Sequence, residues 1–192
     1  KTGGSSFAQV LNRICNEGPT RTDASYFRDA FSTVQKLIVD GKILAGHDIS
    51  AGGMVTTLLE MCFSNTEGGI TVNLSAINES DTIKLLFSQN PGVIIQVKDE
   101  IEVAEVLLEN GISYYSIGHP VNERSLHVSN NDDSFCFDID ELRNEWFSSS
   151  YLLDKKQSGE TLALERFKNY SKHKIEPGLN GFKGSFSSIS IS

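Results

Sequence analysis

The chain has 192 residues, of which 39% are hydrophobic and 22% charged, and its formal net charge is −8. This composition is typical of a globular domain with its own core, and the negative charge argues against a nucleic-acid partner, which would require clustered Lys and Arg. No apolar run approaches the roughly 20 residues of a membrane helix, so no membrane partner is expected. Cys15, Cys62 and Cys136 form no C-x-x-C motif, which favours a reducing, cytoplasmic location over disulfides or structural zinc.

Periodicity in the first half of the chain predicts helices that alternate with strands. In chain order, the patterns predict a short helix capped by Ser5 or Ser6, a loop at 17–23, a helix from Asp23 to Asp40-Gly41, a short buried strand at 42–48, a third helix introduced by Gly52-Gly53 and running to about Phe63, and a strand at 68–75. Ser and Asp are favoured just before a helix and Gly just after one, which supports these boundaries.

The second half predicts more strands and then two helices. The patterns predict, in order, a short helix at 82–89, a strand at 93–98, an amphipathic helix at 99–110, strands at 113–121, 125–130 and 134–139, and helices at 141–156 and 159–173. Asn130 to Asp133 have the composition of a hairpin turn between the last two strands. This order of elements indicates an α/β fold with a mixed β-sheet flanked by helices.

The junction GHDISAGG, residues 46–53, contains polar residues that two interpretations explain. In the structural interpretation, Ser50 caps the third helix and Asp48 accepts hydrogen bonds from nearby amides. In the functional interpretation, the small residues at 51–53 let the backbone approach phosphate oxygens at a helix start, and Asp48 offers Mg²⁺ an oxygen ligand. The spacing is not that of a Walker A loop, because no lysine follows Gly53. The pattern alone leaves both interpretations open.

The other chemically versatile residues favour structural roles. His47 could act as a general base, but a hydrogen-bonded structural histidine is the favoured interpretation. Cys62 lies among apolar residues of the third helix, which favours a buried small residue over a nucleophile. His119 is expected at a strand end, and His127 and His173 are expected at the surface. No two histidines have the spacing of a metal site.

Four stretches of the chain together resemble a known family. TGGSSFAQV, DGKILAGHDISAGGMVTTLLEMCFS, GVIIQV and EPGLN occur in this order, and they resemble the C-terminal synthetase-half lobe of the large, single-chain phosphoribosylformylglycinamidine synthases. The H-D-x-S-x-G-G segment, followed by a helix with L-x-E-M, is the most specific element. The resemblance extends from Gly3 to about Phe186. It implies the α/β fold of the C-terminal domain of aminoimidazole ribonucleotide synthetase-like ATP-binding proteins.

The resemblance implies an ATP-dependent ligase that uses glutamine-derived ammonia to convert formylglycinamide ribonucleotide to formylglycinamidine ribonucleotide. In the family, the aspartate matching Asp48 is a Mg²⁺ ligand and the serine matching Ser50 contacts the nucleotide. The resemblance therefore implies Mg²⁺ and ATP or ADP as cofactors, with the nucleotide against Ser50, Ala51, Gly52 and Gly53. No residue matches the glutaminase cysteine, histidine and acid, and the companion lobe that supplies most ATP contacts has no match either. The chain is expected to be inactive alone, with no catalytic residue of its own.

The resemblance also implies a domain organisation and partners. Residues 1–175 are expected to form the synthetase-like domain, and 176–192 an exit segment toward a glutaminase domain of the same parent protein. Ile49 and Ala51 stand where many members have charged residues in this half, and they resemble the other, pseudo-symmetric half. Which of the two nucleotide sites the lobe completes therefore stays open. The alternatives are a lobe of a related ATP-dependent kinase or selenophosphate synthetase-like enzyme, and a non-catalytic interaction domain.

Overall fold

The computed structural model describes residues 2–16 and 23–169. These fall into two compact units, one extending to Trp146 and the other beginning at Phe147. In chain order the elements are α1 (Ser6–Val10), α2 (Ala24–Val39), β1 (Ile43–Asp48), α3 (Met54–Phe63), β2 (Gly69–Asn73), α4 (Thr82–Phe87), β3 (Val93–Val97), α5 (Glu100–Glu109), β4 (Gly118–Val121), β5 (Ser125–Asn130), β6 (Asp133–Asp138), α6 (Ile139–Ser158) and α7 (Glu160–Asn169). Most of the predicted loop at 17–23, His173 and the predicted exit segment at 176–192 lie outside the described residues.

Five helix starts are fixed by a side chain that accepts a hydrogen bond from the amide three residues further on. The capping residues are Ser5 for α1, Asp23 for α2, Asp81 for α4, Asp99 for α5 and Asp138 for α6. Such a cap satisfies one of the amides that the first helical turn leaves without a partner. The predicted starts at Ser5 and Asp23 are confirmed. Gly41, just after α2, has a φ of 68°, so the predicted glycine stop is confirmed as well.

The strands form two sheets. The larger is mixed and has the order β4-β2-β5-β6, in which β2 and β5 are parallel and the other neighbours antiparallel. Asn130 pairs with Asp133 across a turn in which Asn131 has a φ of 51°, so the predicted hairpin is confirmed. The smaller sheet is the antiparallel pair β1-β3. The prediction of an α/β fold with a mixed sheet is therefore confirmed, although β1 and β3 pair apart from that sheet.

The main core lies between α3 and one face of the mixed sheet. Val55, Leu58, Leu59 and Cys62 are buried on a single face of α3, because residues three and four apart lie on the same side of a helix. The sheet contributes Val72, Leu126 and Val128, which share one face across β2 and β5. Burial of each such side chain contributes about 1.5–3 kcal/mol. This packing fixes where the first turn of α3 lies.

A second, smaller core lies against the two-stranded sheet. Leu37 of α2 and Val103 and Leu107 of α5 are buried there, with Ile43 of β1 and Ile95 of β3 packed against them. The prediction that 42–48 forms a buried strand is wrong, since four of the six residues of β1 are exposed and the other two are half-buried. The physical reason is that β1 has one neighbouring strand within the described chain, and its other edge is open.

Candidate functional site

The candidate site is the connection between β1 and α3, and we call residues 49–53 the junction turn. The Ile49 amide donates to the Gly92 carbonyl at 2.9 Å, and the Gly53 amide donates to the Ser50 carbonyl at 3.1 Å. The buried Thr57 hydroxyl lies 3.1 Å from the Asp48 carbonyl and 3.3 Å from the Gly53 carbonyl. These contacts hold the backbone of the turn at both ends.

The two glycines of the junction turn are required by geometry. Gly52 has a φ of 90° and Gly53 a φ of 80°, a region that side-chain-bearing residues rarely adopt. A Cβ at Gly53 would also lie 2.6 Å from the Leu86 carbonyl oxygen and 2.8 Å from the Phe87 backbone. The glycine pair thus allows the chain to turn sharply into α3 while lying directly on the end of α4.

The start of α3 has no side-chain cap among the described residues. Its N-cap position is Gly53, and Ser50 bonds to Gly53 through its carbonyl group, not its hydroxyl. The structural interpretation in which Ser50 caps this helix is therefore wrong. The positive end of the helix dipole and the first amides of α3 lack the side-chain acceptor that the five capped starts have.

The predicted site residues divide into an exposed and an enclosed group. Asp48, Ser50 and Ala51 are exposed, and the Asp48 side chain keeps 77% of its accessible surface. Gly53 is buried and Gly52 half-buried, and both of their amides already donate within the protein. The structure therefore brings an exposed carboxylate and an exposed serine together beside the open helix start. The ligand roles assigned to these residues remain predictions.

His47 links two carboxylates next to the junction turn. Its Nδ1 lies 2.8 Å from the Asp48 carbonyl oxygen and 3.6 Å from Asp48 Oδ1, and its Nε2 lies 3.3 Å from Glu60 Oε2. The prediction of a hydrogen-bonded histidine is thus confirmed. A neutral imidazole can donate at one of these nitrogens, and the protonated ring can donate at both. Within the described chain, His47 is the ion-pair partner found for Asp48 and Glu60, so the site is acidic, with no Lys or Arg bound to either carboxylate.

Gln89 is a residue of this site that the sequence patterns did not single out. Its side-chain amide lies 2.9 Å from the Ser6 amide, the Ser6 hydroxyl and the Gly52 amide. Because the two amide groups are donors, the atom that faces them is the Gln89 oxygen. The position follows α4 and precedes Pro91-Gly92. A polar residue in a loop carries no periodic signal, so this contact had no sequence-level marker.

The far end of α3 is closed. Cys62 is buried, as predicted, and burial raises the pKa of its thiol, while the nearby positive charge of Arg124 acts in the opposite direction. The Arg124 guanidinium donates to the Cys62 carbonyl at 3.1 Å and to the Gly68 carbonyl at 3.2 Å, and it pairs with Asp140 at 2.9 Å. A neutral, enclosed thiol of this kind is a packing residue, not a nucleophile.

The outer face of the mixed sheet has a shallow depression of about 400 Å³ that includes none of the predicted site residues. His127 lies on this face, with its Nε2 3.5 Å from Glu123 Oε2 and 3.8 Å from Cys136 Sγ. Across residues 2–16 and 23–169, no group of three His, Cys, Asp or Glu side chains is arranged to hold a metal ion. None of the helices in these ranges is long and apolar enough to cross a membrane.

Curated relatives resemble this chain over most of its length. It is 30% identical to phosphoribosylformylglycinamidine synthase from Dictyostelium discoideum, over 92% of this chain and 14% of that protein. It is 33% identical to a probable phosphoribosylformylglycinamidine synthase, chloroplastic/mitochondrial, from Arabidopsis thaliana, over 82% and 11%. It is 36% identical to probable membrane antigen 75 of Saimiriine herpesvirus 2 (strain 11), over 76% and 11%. The chain spans about a seventh or less of these relatives.

Solved structures with a similar fold include PurL from Thermotoga maritima. The structure complexed with ATP has a TM-score of 0.53 and 14% identity, covering 60% of this chain and 21% of that one. The structure complexed with AMPPCP has a TM-score of 0.54 and 16% identity, covering 66% and 24%. At such identities the likeness concerns the fold, and it agrees with the α/β architecture described above.

A family match covers the part of the chain that holds the junction turn. Residues 1–129 of the 192 match the family described as AIR synthase related protein, C-terminal domain. The match includes β1, α3, the Gln89 loop and the first strands of the mixed sheet. Because this match spans well over half of the sequence, the chain belongs to the family of AIR synthase related protein C-terminal domains.

Proposed function

We propose that this chain is the C-terminal synthetase lobe of a phosphoribosylformylglycinamidine synthase. Such an enzyme converts formylglycinamide ribonucleotide, glutamine and ATP to formylglycinamidine ribonucleotide, glutamate, ADP and phosphate in purine biosynthesis. The support is that the Dictyostelium discoideum relative of this name is 30% identical over 92% of the chain. Since the chain spans 14% of that relative, the reaction would belong to the intact protein and not to this lobe alone.

In this proposal, Asp48 and Ser50 form part of a nucleotide–Mg²⁺ site. The observation that carries it is the exposed Asp48 carboxylate beside the uncapped start of α3. The donor fits, because Mg²⁺ is commonly held by one or two carboxylates together with phosphates and water. When bound, the ion would neutralise part of the phosphate charge. Asp48 would hold it, and the Ser50 hydroxyl would donate to a phosphate oxygen close to the positive end of the helix dipole.

The three small residues that follow would have different tasks. Ala51 is exposed and would contact the nucleotide directly. Gly52 and Gly53 have amides engaged within the protein, so they would act by shaping the turn and by leaving room for the phosphates. The proposed nucleotide-binding residues are therefore Ser50, Ala51, Gly52 and Gly53. The first two would contact the nucleotide, and the two glycines would shape the turn.

The negative charge of the site calls for companion lobes. Asp48 and Glu60 are both acidic, and their ion-pair partner in the described chain is His47. A polyphosphate bound here needs further positive charge, which Mg²⁺ and a companion synthetase lobe would supply. The glutaminase domain of the same parent protein would supply ammonia. The proposal places the parent protein in the cytoplasm, with residues 1–175 as its synthetase-like domain and 176–192 leading toward the glutaminase.

The reaction is tested on the intact protein. Incubation with formylglycinamide ribonucleotide, glutamine and MgATP should yield formylglycinamidine ribonucleotide and ADP in equal amounts. Chromatography of the reaction mixture measures both products. Omission of glutamine should stop product formation, and ammonium ions at high concentration should restore it. ADP formation without the amidine product, or no ATP-dependent reaction at all, would contradict the proposal and favour a related kinase-like or non-catalytic protein.

A non-catalytic interaction domain is the second candidate, and one observation favours it. The chain is 36% identical to a protein named probable membrane antigen 75, and that name describes no enzyme. In this case the junction turn would be a structural feature only. The intact protein would then form no product in the assay above, and substitution of Asp48 would leave its nucleotide content unchanged.

A further inference from the structure

We infer that Gln89 is a positioning residue of the proposed nucleotide site, whose side-chain oxygen holds the junction turn in the direction that presents Ser50 next to Asp48 at the end of β1. The inference rests on the proposed function, because it needs a nucleotide at the turn. It assigns Gln89 no contact with the nucleotide. The residue would act through the Gly52 amide, which it binds at 2.9 Å.

A single Gln89 oxygen accepts from three donors. Gln89 lies 2.9 Å from each of the Ser6 amide, the Ser6 hydroxyl and the Gly52 amide. These donors come from two segments that are distant in sequence, the first turn of α1 and the junction turn. A side chain that satisfies both segments fixes their separation, and its removal leaves two amides without this acceptor.

Gln89 also belongs to a segment that follows the junction turn along its length. At one end, Leu86 and Phe87 lie directly against Gly53, where a Cβ would be 2.6 Å from the Leu86 oxygen. At the other end, the Gly92 carbonyl accepts from the Ile49 amide at 2.9 Å. Both of these contacts use backbone atoms. Gln89 supplies the contact between them, so it is the point where a side-chain substitution can loosen the middle of the turn.

The α1 side of the contact is itself held by ring packing and by a cap. The Phe7 and Phe87 rings stack with centroids 4.5 Å apart. Ser5 is buried, and its hydroxyl accepts from the Ala8 amide at 3.2 Å. Gln89 therefore connects the junction turn to a packed helix start and not to a free loop. Loss of the Gln89 oxygen should therefore change the direction of the junction turn and leave the start of α1 in place.

The variants at Gln89 distinguish the effect of losing the hydrogen-bond acceptor from the effects of changing the size or the charge of the side chain. Gln89→Met keeps the length and removes the oxygen, and we expect it to weaken MgADP binding by about tenfold, the effect of one lost hydrogen bond. Gln89→Glu keeps the oxygen and adds a negative charge. Its affinity should fall at low salt and recover part of that loss at about 0.5 M salt, compared with the parent at the same salt, because a half-buried charge is screened only in part. Gln96→Met is the matched control, since Gln96 is another half-buried glutamine, located on β3.

The experiment is equilibrium dialysis of the intact protein against MgADP, with thermal unfolding measured in the absence of nucleotide. A loss for Gln89→Met, salt-dependent recovery for Gln89→Glu and no change for Gln96→Met would support the inference. If Asp48→Asn abolishes binding but Gln89→Met leaves it unchanged, the inference is overturned and the proposed function stands. If Asp48→Asn has no effect, the proposed function fails and this inference fails with it. Should Gln89→Met not fold, Gln89→Asn withdraws the oxygen by one bond, and unchanged affinity in that variant overturns the inference.

Discussion

Helices α1 and α3 both begin shortly after a pair of glycines and a serine, but the two starts are completed differently. At α1 the serine is buried, 2% exposed, and caps the helix through its hydroxyl. At α3 the serine is exposed and the helix begins at Gly53 without a side-chain cap among the described residues. The order of the residues explains the difference. Ser5 follows its glycines, whereas Ser50 precedes its glycines and is separated from α3 by three residues, of which Gly52 and Gly53 have a positive φ.

The difference shows that a serine near a helix start does not identify a cap. At the start of α1, the Ala8 amide donates to Ser5 and the Ser6 amide donates to Gln89, so both of these donors are already engaged within the protein. The start of α3 keeps its helix dipole open, with Asp48 and Ser50 beside it. We therefore place the proposed nucleotide contact at α3 and a structural role at α1. Substitutions that act differently on the two types of start test this assignment.

The largest effect is expected from Gly53→Ala. The new Cβ would require a positive φ and would meet the backbone of Leu86 and Phe87, so the free energy of unfolding should fall by at least about 3 kcal/mol. Gly41→Ala is the matched control, because Gly41 also has a positive φ but open space around it, and it should cost only about 1 kcal/mol. Urea unfolding of both variants measures the difference. Equal losses would mean that the close approach of the junction turn to α4 is not present in solution.

A smaller effect distinguishes capped from uncapped starts. Ser5→Ala and Asp99→Ala each remove a cap and should lower the free energy of unfolding by about 1 kcal/mol. Ser50→Ala should change it by less than about 0.5 kcal/mol, because the Ser50 hydroxyl does not cap α3. Urea unfolding of the three variants provides the comparison. A loss at Ser50 as large as the loss at Asp99 would restore the capping interpretation.

The smallest effect concerns the closed end of α3, where the reactivity of Cys62 is compared with that of the two exposed cysteines. Burial raises the pKa of the Cys62 thiol, so a smaller fraction is thiolate at neutral pH, and its sulfur is also enclosed. Iodoacetamide should modify Cys62 at least about tenfold more slowly than the exposed Cys15 and Cys136. Peptide mass spectrometry at increasing reaction times gives the three rates, and unfolding in urea should make them similar. Rapid modification of Cys62 in the folded chain would show that this end of α3 is open.

Local patterns predicted the helices because their causes are local. The apolar spacing of Val55, Leu58, Leu59 and Cys62 defines the buried face of α3, and the caps at Asp23 and Asp99 act over three residues. The exposure of β1 could not be predicted from its apolar sequence, since it depends on which strands pair beside it. Pairing of β1 with β3 joins segments that α3, β2 and α4 separate in the chain.

The sequence predicted which chemical groups the candidate site contains, but not the contacts that hold them. The H-D-x-S pattern marked Asp48 and Ser50, and both are exposed at the junction. The enclosed amides of Gly52 and Gly53 follow from their particular φ angles and from contacts that the pattern does not encode. Gln89 was missed because it reaches Ser6 across 83 residues of sequence, and nothing in its immediate neighbours indicates that contact.

In the proposed function, the Asp48 carboxylate holds a nucleotide through Mg²⁺ without supporting the fold. The most direct test is the nucleotide and magnesium content of the intact protein after dialysis, compared for the parent, Asp48→Asn and the exposed control Asp132→Asn. We predict that Asp48→Asn loses most of the bound nucleotide and metal and that Asp132→Asn retains both. Once nucleotide has been removed from all three proteins, neither variant should change the free energy of unfolding by more than about 0.5 kcal/mol. An Asp48→Asn protein with the parental, metal-dependent nucleotide content would overturn the proposed role of Asp48.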